Sequence, residues 1–198
     1  GSDRIIVEAE ATPKSVYVQQ QIIYTVRLLI NTNISSSSSL SPPQIKSGNA
    51  TIEQLGKDAQ YTKQRQGVNW QVVERRYAVT PQQSGLLEFE PIHFEGQQVQ
   101  QAPPQPGGRF DPFNMFSTML GPVMHLFSDA VSIEVKPQPP GFSGTLWLPA
   151  NKVTIEAALS LPHDQLQTGE PATLTVTIAA AGLRAEQLTA PPSDFPSG

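Results

Sequence analysis

The chain has 198 residues, a formal net charge of −4 at pH 7 and no cysteine. At this length it can form one large domain or two of ordinary size, and either arrangement buries enough apolar surface to fold without cross-links. The lack of cysteine excludes disulfides, thiolate metal ligands and a thiol nucleophile. The acidic balance, with no run of Lys or Arg, argues against a nucleic-acid partner, because that binding depends on neutralising phosphates.

Alternation of apolar and polar residues predicts β-strands along the first two thirds of the chain. In residues 22 to 30, the side chains of Ile22, Tyr24 and Val26 fall on one face of a half-buried strand. This is the longest apolar stretch, yet it is too short to span a bilayer and contains Arg27. Similar patterns occur at 4 to 11, 15 to 21, 50 to 58, 61 to 66, 70 to 79, 85 to 90 and 130 to 135. About seven such strands predict an antiparallel sandwich.

Pro, Gly and Ser mark the boundaries between the predicted units. The Ser-rich stretch at 33 to 43 predicts a mobile surface loop. We expect an all-β fold with an immunoglobulin-like antiparallel β-sandwich over residues 3–137, a linker over 138–149, and the first strands of a second, truncated immunoglobulin-like domain over 150–198.

The second predicted domain supplies too few strands to cover its own apolar faces. Val153, Ile155 and Leu159 alternate with polar residues on one predicted strand, and Leu174 and Val176 do so on the next. A lone pair of strands is marginal in water. These rows are therefore expected to find cover on the first domain or on a second copy, so self-association of the truncated chain is expected.

The segment "FDPFNMFSTMLGP" at 110 to 122 predicts a short helical insertion. Asp111 is a good N-cap, Pro112 suits the first helical position, and Gly121 with Pro122 would end the helix. We expect a helix over 112 to 120 that docks on apolar surface or serves as a partner surface, with disorder as a further alternative. The apolar residues of this candidate partner surface are Phe113, Met115, Phe116, Met119 and Leu120.

The chain carries no sequence motif of a catalytic, cofactor or metal site. His93, His125 and His163 are far apart and lack metal-binding spacing, so a metal site would need them to meet in the folded protein. A glycosidase-like acid pair assembled from Glu74, Glu88 and Glu90 would need a pocket that raises a pKa, and solvated strand faces explain these acids better. We therefore expect no enzyme activity, no catalytic residues, no cofactor and no metal.

Four aromatic residues leave a carbohydrate-binding alternative open. They are Trp70, Trp147, Tyr61 and Tyr77. Such rings can stack on sugars, but Trp and Tyr are also common in the core and at the rim of β-sandwiches. A carbohydrate or peptidoglycan binding module of the cell envelope is therefore the alternative function.

Four stretches resemble one known family in both order and spacing. They are "GKDAQY" (56 to 61), "QVVERRYAVTPQQSG" (71 to 85), "LWLPA" (146 to 150) and "GEPATLTVTIAAAGL" (169 to 183). Together they resemble the BatD, or oxygen tolerance, family of bacterial envelope proteins. The most specific part of the resemblance comprises Glu74, Arg75, Arg76, Tyr77, Pro81 and Gly85.

The family motif is expected to be structural. Tyr77 and Val79 should face the core of a strand that turns at Pro81 to Gly85. Arg75 has the same parity as Tyr77. It should therefore lie near a sheet end, follow a bulge, or pair with an acid such as Glu53 or Glu88.

The resemblance also implies a place and a set of partners. Its members have a signal peptide, immunoglobulin-like domains in the periplasm and a helix near the C-terminus that anchors them to the inner membrane. This chain resembles the N-terminal periplasmic part. The implied partners are membrane proteins with von Willebrand factor A domains that work beside a MoxR-type ATPase. The expected function is a non-catalytic scaffold or interaction module of a membrane complex linked to oxygen tolerance and envelope stress.

Overall fold

A computed structural model describes residues 4–101, 118–141, 148–150, 152–160, 173–183 and 187–188. Within these ranges the fold is all β, and no helix is long and apolar enough to cross a lipid bilayer. The strands are β1 (Ile5–Thr12), β2 (Ser15–Tyr17), β3 (Ile22–Ile30), β4 (Ser39–Leu40), β5 (Ile45–Ser47), β6 (Ala50–Gln54), β7 (Ala59–Arg65), β8 (Val68–Pro81), β9 (Gly85–Phe89), β10 (His93–Gln101), β11 (Thr118–Phe127), β12 (Val131–Lys136), β13 (Lys152–Leu159) and β14 (Leu174–Ala181).

Two sheets pack face to face in the first part of the chain. The first has the order β1-β3-β8, with β6 and β7 paired in succession along the free edge of β8. The second has the order β2-β12-β9-β5, in which only β2 and β12 run parallel among the pairs described. A smaller sheet has the order β11-β10-β4, and two of its strands, β10 and β11, lie between β9 and β12 in the chain. The all-β sandwich expected from the sequence is therefore confirmed.

The core lies between the two main sheets and follows the alternation in the sequence. On β3 and β8, directly opposite residues such as Tyr24 and Tyr77 point to the same side and are buried. The Tyr24 ring packs on Phe89 of the facing sheet, with ring centroids 4.7 Å apart. Leu87 and Ile133 complete this layer from β9 and β12. Burial of these side chains supplies the main driving force for closing the sandwich.

A second, smaller cluster lies on the outer face of the first sheet. Trp70, Leu29 and Val72 are buried there, with Ile6 packed against them. The long β8 therefore has buried residues on both of its faces, and parts of its sequence are apolar without alternation.

All the strands predicted from alternation are present, although some are one to four residues shorter or longer than expected. Strands β4, β5, β10 and β11 were not predicted from the sequence.

The Ser-rich stretch was wrongly expected to be a mobile loop throughout, because part of it joins the small sheet. Ser39–Leu40 forms β4 against β10, and the backbone N–H of Ser35 donates to the carbonyl of Gln97 at 2.8 Å.

The predicted helical insertion is wrong where the structure describes it. Residues 118 to 120 belong to β11, which continues through Gly121 and Pro122. Between the pairs Val99↔Leu120 and Gln97↔Val123, β11 has one residue more than β10. This bulge, on the edge strand of its sheet, accommodates a proline that has no N–H to donate.

The remaining part of the predicted helix falls largely outside the described residues. Residues 112 to 117, with Phe113, Met115 and Phe116, lie there. For Met119 the structure gives the backbone pairing with Gln100 only. Leu120 is 56% exposed, so it does not dock on apolar surface as predicted.

Near its C-terminus the chain forms the antiparallel pair β13 and β14. Most of both strands is exposed, and Ile155 is 66% exposed. The expected cover of these apolar rows by the first sandwich is not observed. One backbone hydrogen bond, from Gln21 to the carbonyl of Gly182 at 3.3 Å, joins the end of β14 to the turn before β3. Cover by a second copy stays a prediction.

Candidate interaction surface

The β10–β11 hairpin has one face on the sandwich and one face in solvent. On the inner face, Phe94 is buried in the main core, and Met124 and Leu126 pack against that core. Alternation then places the neighbouring side chains on the outer face. The hairpin is thus anchored by its own apolar inner row, which fixes the direction in which its outer row points.

The outer face of β11 carries a row of exposed apolar side chains around one histidine. Phe127 is 63% exposed, Val123 is 51% exposed and Leu120 is 56% exposed. Directly opposite residues on paired strands share a face, and the bulge at Gly121 keeps Leu120 on the same side as Val123. We call Leu120, Val123 and Phe127 the hairpin row. Large apolar side chains grouped on one exposed face are typical of protein contact sites.

Two histidines meet on this outer face, next to the hairpin row. Nε2 of His93 lies 3.0 Å from Nδ1 of His125. The His93 ring also packs on the Phe127 ring, with centroids 4.7 Å apart and planes 19° from parallel. Glu95 is directly opposite His125, with Oε2 3.7 Å from its Nδ1. The structure therefore brings together three side chains that can ligate a metal ion.

The sequence analysis missed this cluster because it did not recognise β10 and β11. His93 and Glu95 alternate with the apolar residues Ile92 and Phe94, and "VMHLF" at 123 to 127 alternates in the same way. Read as two strands of a hairpin, these patterns would have placed the three polar side chains on the solvent face. The third histidine, His163, lies outside the described residues.

The predicted family motif lies on β8 and at the start of β9, and most of its described contacts are structural. Tyr77 and Pro81 are buried, which confirms the orientation expected for Tyr77. Arg75 points to the core side, and its Nε and Nη2 each donate to Asp58 at 2.7 Å. The expected ion pair is therefore present, but the acid is Asp58 rather than Glu53 or Glu88. Gly85 has a φ of 119°, a value that favours glycine in the turn into β9.

Asp58 lies in the irregular segment between β6 and β7, which pair one after the other with the same edge of β8. Gln54 pairs with Tyr77 and Ala59 pairs with Glu74, so five steps along the edge oppose three steps on β8. The extra residues loop out and bring the Asp58 carboxylate onto Arg75. Hydrogen bonding to that guanidinium lowers the pKa of Asp58, against the smaller opposing effect of burial.

On the outer face of the first sheet, Glu74 is the centre of a charged cluster. Nε of Arg27 donates to its Oε2 at 2.7 Å, and the Tyr61 hydroxyl donates to the same oxygen at 3.0 Å. A second guanidinium nitrogen of Arg27 donates to Glu10 at 2.6 Å. The hydrogen bond from Arg27, followed by smaller contributions from Tyr61 and Arg76, lowers the pKa of Glu74, although burial opposes the shift. Arg76 itself is exposed.

The structure does not bring Glu74 together with Glu88 and Glu90 on adjacent strands, as the glycosidase-like alternative would require. Glu74 lies on β8 of the first sheet, whereas Glu88 lies on β9 of the second, so they are not on adjacent strands, and Glu90 is exposed just beyond β9. A glycosidase acid needs a raised pKa, whereas the pKa of Glu74 is lowered by Arg27. Glu74 is therefore held in its charged form as part of an ion pair.

Two of the four aromatic residues considered as sugar platforms are buried. Trp70 and Tyr77 are 6% and 4% exposed, and Trp147 lies outside the described residues. Tyr61 is more exposed, but its hydroxyl is bound to Glu74. Beside Trp70 there is an open polar depression whose lining residues include Asn31, Asn33, Asn69 and Gln71. Their side-chain amides could bind the hydroxyls of a sugar, whereas Trp70 offers little free ring surface for stacking.

Comparison of the chain with protein-family models, with curated proteins and with solved structures finds no match.

Proposed function

We propose that the chain is a non-catalytic interaction module of a BatD-like complex, held in the periplasm by an inner-membrane anchor and linked to oxygen tolerance and envelope stress. The observation that carries this proposal is the hairpin row, Leu120, Val123 and Phe127, which is exposed on an element whose other face is fixed in the core. A rigidly held apolar surface binds a partner without a large cost of ordering. The resemblance at residues 71 to 85 supplies the family.

The arrangement of strands supports an immunoglobulin-like assignment of the sandwich. Apart from β2 and β7, the two sheets contain seven strands, which in chain order are β1, β3, β5, β6, β8, β9 and β12. Numbered one to seven in that order, they form one sheet with the order one-two-five-four and another with the order three-six-seven. This is the strand order of constant-type immunoglobulin domains. Many proteins at cell surfaces use such sandwiches to present loops and hairpins to other proteins.

The chemistry of the described carboxylates supports a non-catalytic role. Asp58 and Glu74 have lowered pKa values because Arg75 and Arg27, respectively, bind their charged forms. Ion pairs of this kind hold sheets and bulges in place, whereas general acids need groups whose pKa is raised toward neutrality. The family motif on β8 therefore supports the scaffold that presents the hairpin.

The partner that we propose is a membrane protein with a von Willebrand factor A domain, as the resemblance implies. A photoreactive residue placed at Phe127 in the membrane-anchored protein tests this directly. Irradiation of intact cells should give one major cross-linked product that contains such a domain. The matched control is the same probe at Leu86, which is equally exposed on β9. Equal cross-linking from Leu86, or products that lack such a domain, would contradict the proposal.

A carbohydrate or peptidoglycan binding module is the second candidate, and the polar depression beside Trp70 favours it. Its test is binding of the purified chain to insoluble peptidoglycan. Retention that disappears when Asn69 and Gln71 are both changed to Ala would support this candidate. Retention that is absent, or unchanged in that variant, would count against it.

A further inference from the structure

The outer face of the β10–β11 hairpin gathers three side chains whose ligand atoms lie within 4.8 Å of one another. They are His93, Glu95 and His125. His93 and Glu95 are two residues apart on β10, so they share a face, and His125 is directly opposite Glu95 on β11. Backbone pairing therefore sets the spacing of all three ligands before any ion binds.

The two imidazole rings point nitrogen atoms at each other. Their centroids are 5.2 Å apart, their planes are 8° from parallel, and Nε2 of His93 is 3.0 Å from Nδ1 of His125. Because the nitrogens are much closer than the ring centres, both lie between the rings. One of these nitrogens donates its proton to the other, and a shift of that proton to the far nitrogen of the same ring leaves both facing nitrogens with a lone pair free to bind an ion.

Two of the three distances between ligand atoms are close to those of a tetrahedral site, and the third lies within 4.8 Å. Zinc binds histidine nitrogen at about 2.0 to 2.1 Å, which places two tetrahedral ligands about 3.3 Å apart. The 3.0 Å separation of the two nitrogens must therefore widen slightly. The 3.7 Å separation of Glu95 Oε2 from His125 Nδ1 must shorten slightly. The rings must also turn so that both lone pairs meet at the ion, because the facing nitrogens lie nearly on the line that joins the ring centres. Glu95 and His125 are both about half exposed, which leaves these two side chains room to rotate.

Neighbouring residues restrict the geometry of His93. Its ring packs on Phe127, and its backbone N–H donates to Oγ of Ser41 at 2.9 Å. Its strand is hydrogen-bonded to β4 on one side and to β11 on the other. Ligands whose orientation is fixed in this way lose little freedom when they bind an ion.

The geometry points to a divalent transition-metal site formed by His93, Glu95 and His125, and two imidazoles with one carboxylate are a ligand set that zinc uses in proteins. Three protein ligands leave at least one coordination position open to solvent. This assignment goes beyond the proposed role as an interaction module and does not depend on it. Metal binding would use the two exposed histidines, which a purely apolar contact surface does not need.

Titration of the whole purified chain with Co²⁺ tests the site, because tetrahedral Co²⁺ absorbs in the visible range and Zn²⁺ displaces it. We expect one ion per chain, a visible absorption band that Zn²⁺ abolishes, and shifts of two histidine signals in the NMR spectrum. His93→Gln and His125→Gln should each remove the band. Absence of the band in the unaltered chain, or its persistence in either variant, would overturn the assignment.

Two further variants separate this site from adventitious binding. His163→Gln removes the only other histidine and should leave the affinity unchanged. Glu95→Gln keeps both imidazoles and should weaken metal binding by at least about tenfold. Removal of a residue that only hydrogen-bonds a metal ligand already costs about that much, so loss of a ligand should cost no less. Loss of binding in the His163 variant, or unchanged affinity in the Glu95 variant, would show that these three residues are not the ligands. Circular dichroism of each variant verifies that the sandwich is folded.

Discussion

Arg75 points to the core side of β8, and its guanidinium binds both carboxylate oxygens of Asp58 at 2.7 Å. Two parallel hydrogen bonds between charged groups are among the stronger polar contacts in proteins. Both side chains are about a quarter exposed, so the pair is only partly shielded from water. The pair closes the bulge between β6 and β7 and allows a charged residue to occupy a core-facing position.

Asp58→Asn should lower the free energy of unfolding by about 2 kcal/mol, since it weakens two charge-assisted hydrogen bonds and leaves Arg75 without its counter-charge. Urea unfolding at neutral pH measures the effect. Asp129→Asn is the matched control, because the Asp129 side chain is exposed and takes part in no ion pair within the described ranges. Equal stability of the two variants would show that the Asp58 pair is not stabilising.

Stability should fall in acid because of Asp58 and Glu74. Their pKa values are lowered in the folded chain from ordinary values of about 4, mainly by Arg75 and Arg27. A lowered folded pKa gives stability that is present above the unfolded value and is lost as the pH falls through the folded value. Urea midpoints from about pH 6 to about pH 2.5 should therefore decrease, and the double variant Asp58→Asn, Glu74→Gln should show a smaller decrease. Parallel curves for the two proteins would contradict this prediction.

Tyr24→Phe should stabilise the chain by about 1 kcal/mol, because an unpaired buried hydroxyl costs free energy. The Tyr24 hydroxyl is buried and has no hydrogen-bond partner, and burial, with a smaller effect from Tyr77, raises its pKa to about 12. Tyr77→Phe is the matched control. Tyr77 lies directly opposite Tyr24, but its hydroxyl interacts favourably with Arg75, so its variant should be less stable. Thermal unfolding of both variants that gave the reverse order would contradict this account of the core.

Gly96→Ala should lower stability by about 1 to 3 kcal/mol, the usual cost of overpacking a tight site. A Cβ at Gly96 would lie 2.5 Å from the Phe94 ring and 2.6 Å from Oγ of Ser38. The control is Gly56→Ala, since a Cβ at Gly56 would meet nothing within 4 Å, although its φ of 67° adds a smaller backbone cost. A Gly96 variant as stable as the unaltered chain would show that the Ser-rich segment is not packed on β10.

Alternation predicted most strands of the two main sheets because those strands bury a row of alternate side chains, as Tyr24 and Val26 show on β3. The helix expected over 112 to 120 failed at its described end for a non-local reason. Gly121 and Pro122 have the local pattern of a helix stop, but pairing with β10 makes them a bulge in a strand. Local turn chemistry does not reveal a partner strand twenty residues away.

In the candidate sites, too, the sequence showed the residue types, whereas their contacts depended on strand pairing. Parity placed Arg75 on the core side, but its acid could not be identified because the bulge that carries Asp58 depends on the register with β8. His93 and His125 are 32 positions apart in the chain and meet because β10 pairs with β11. Each ligand type was visible in the sequence, whereas their proximity required the fold.

We propose that the hairpin row binds a membrane partner. Co-purification of the membrane-anchored protein from detergent-solubilised membranes tests it, with the partner measured as its molar ratio to the chain. Val123→Ser with Phe127→Ser should reduce recovery of a protein with a von Willebrand factor A domain at least about tenfold, as expected when central apolar contacts worth over 1 kcal/mol each are lost. Leu86→Ser, at an equally exposed position on β9, should leave the recovery unchanged. Unchanged recovery with the hairpin variant folded, or an equal loss with the Leu86 variant, would contradict the account.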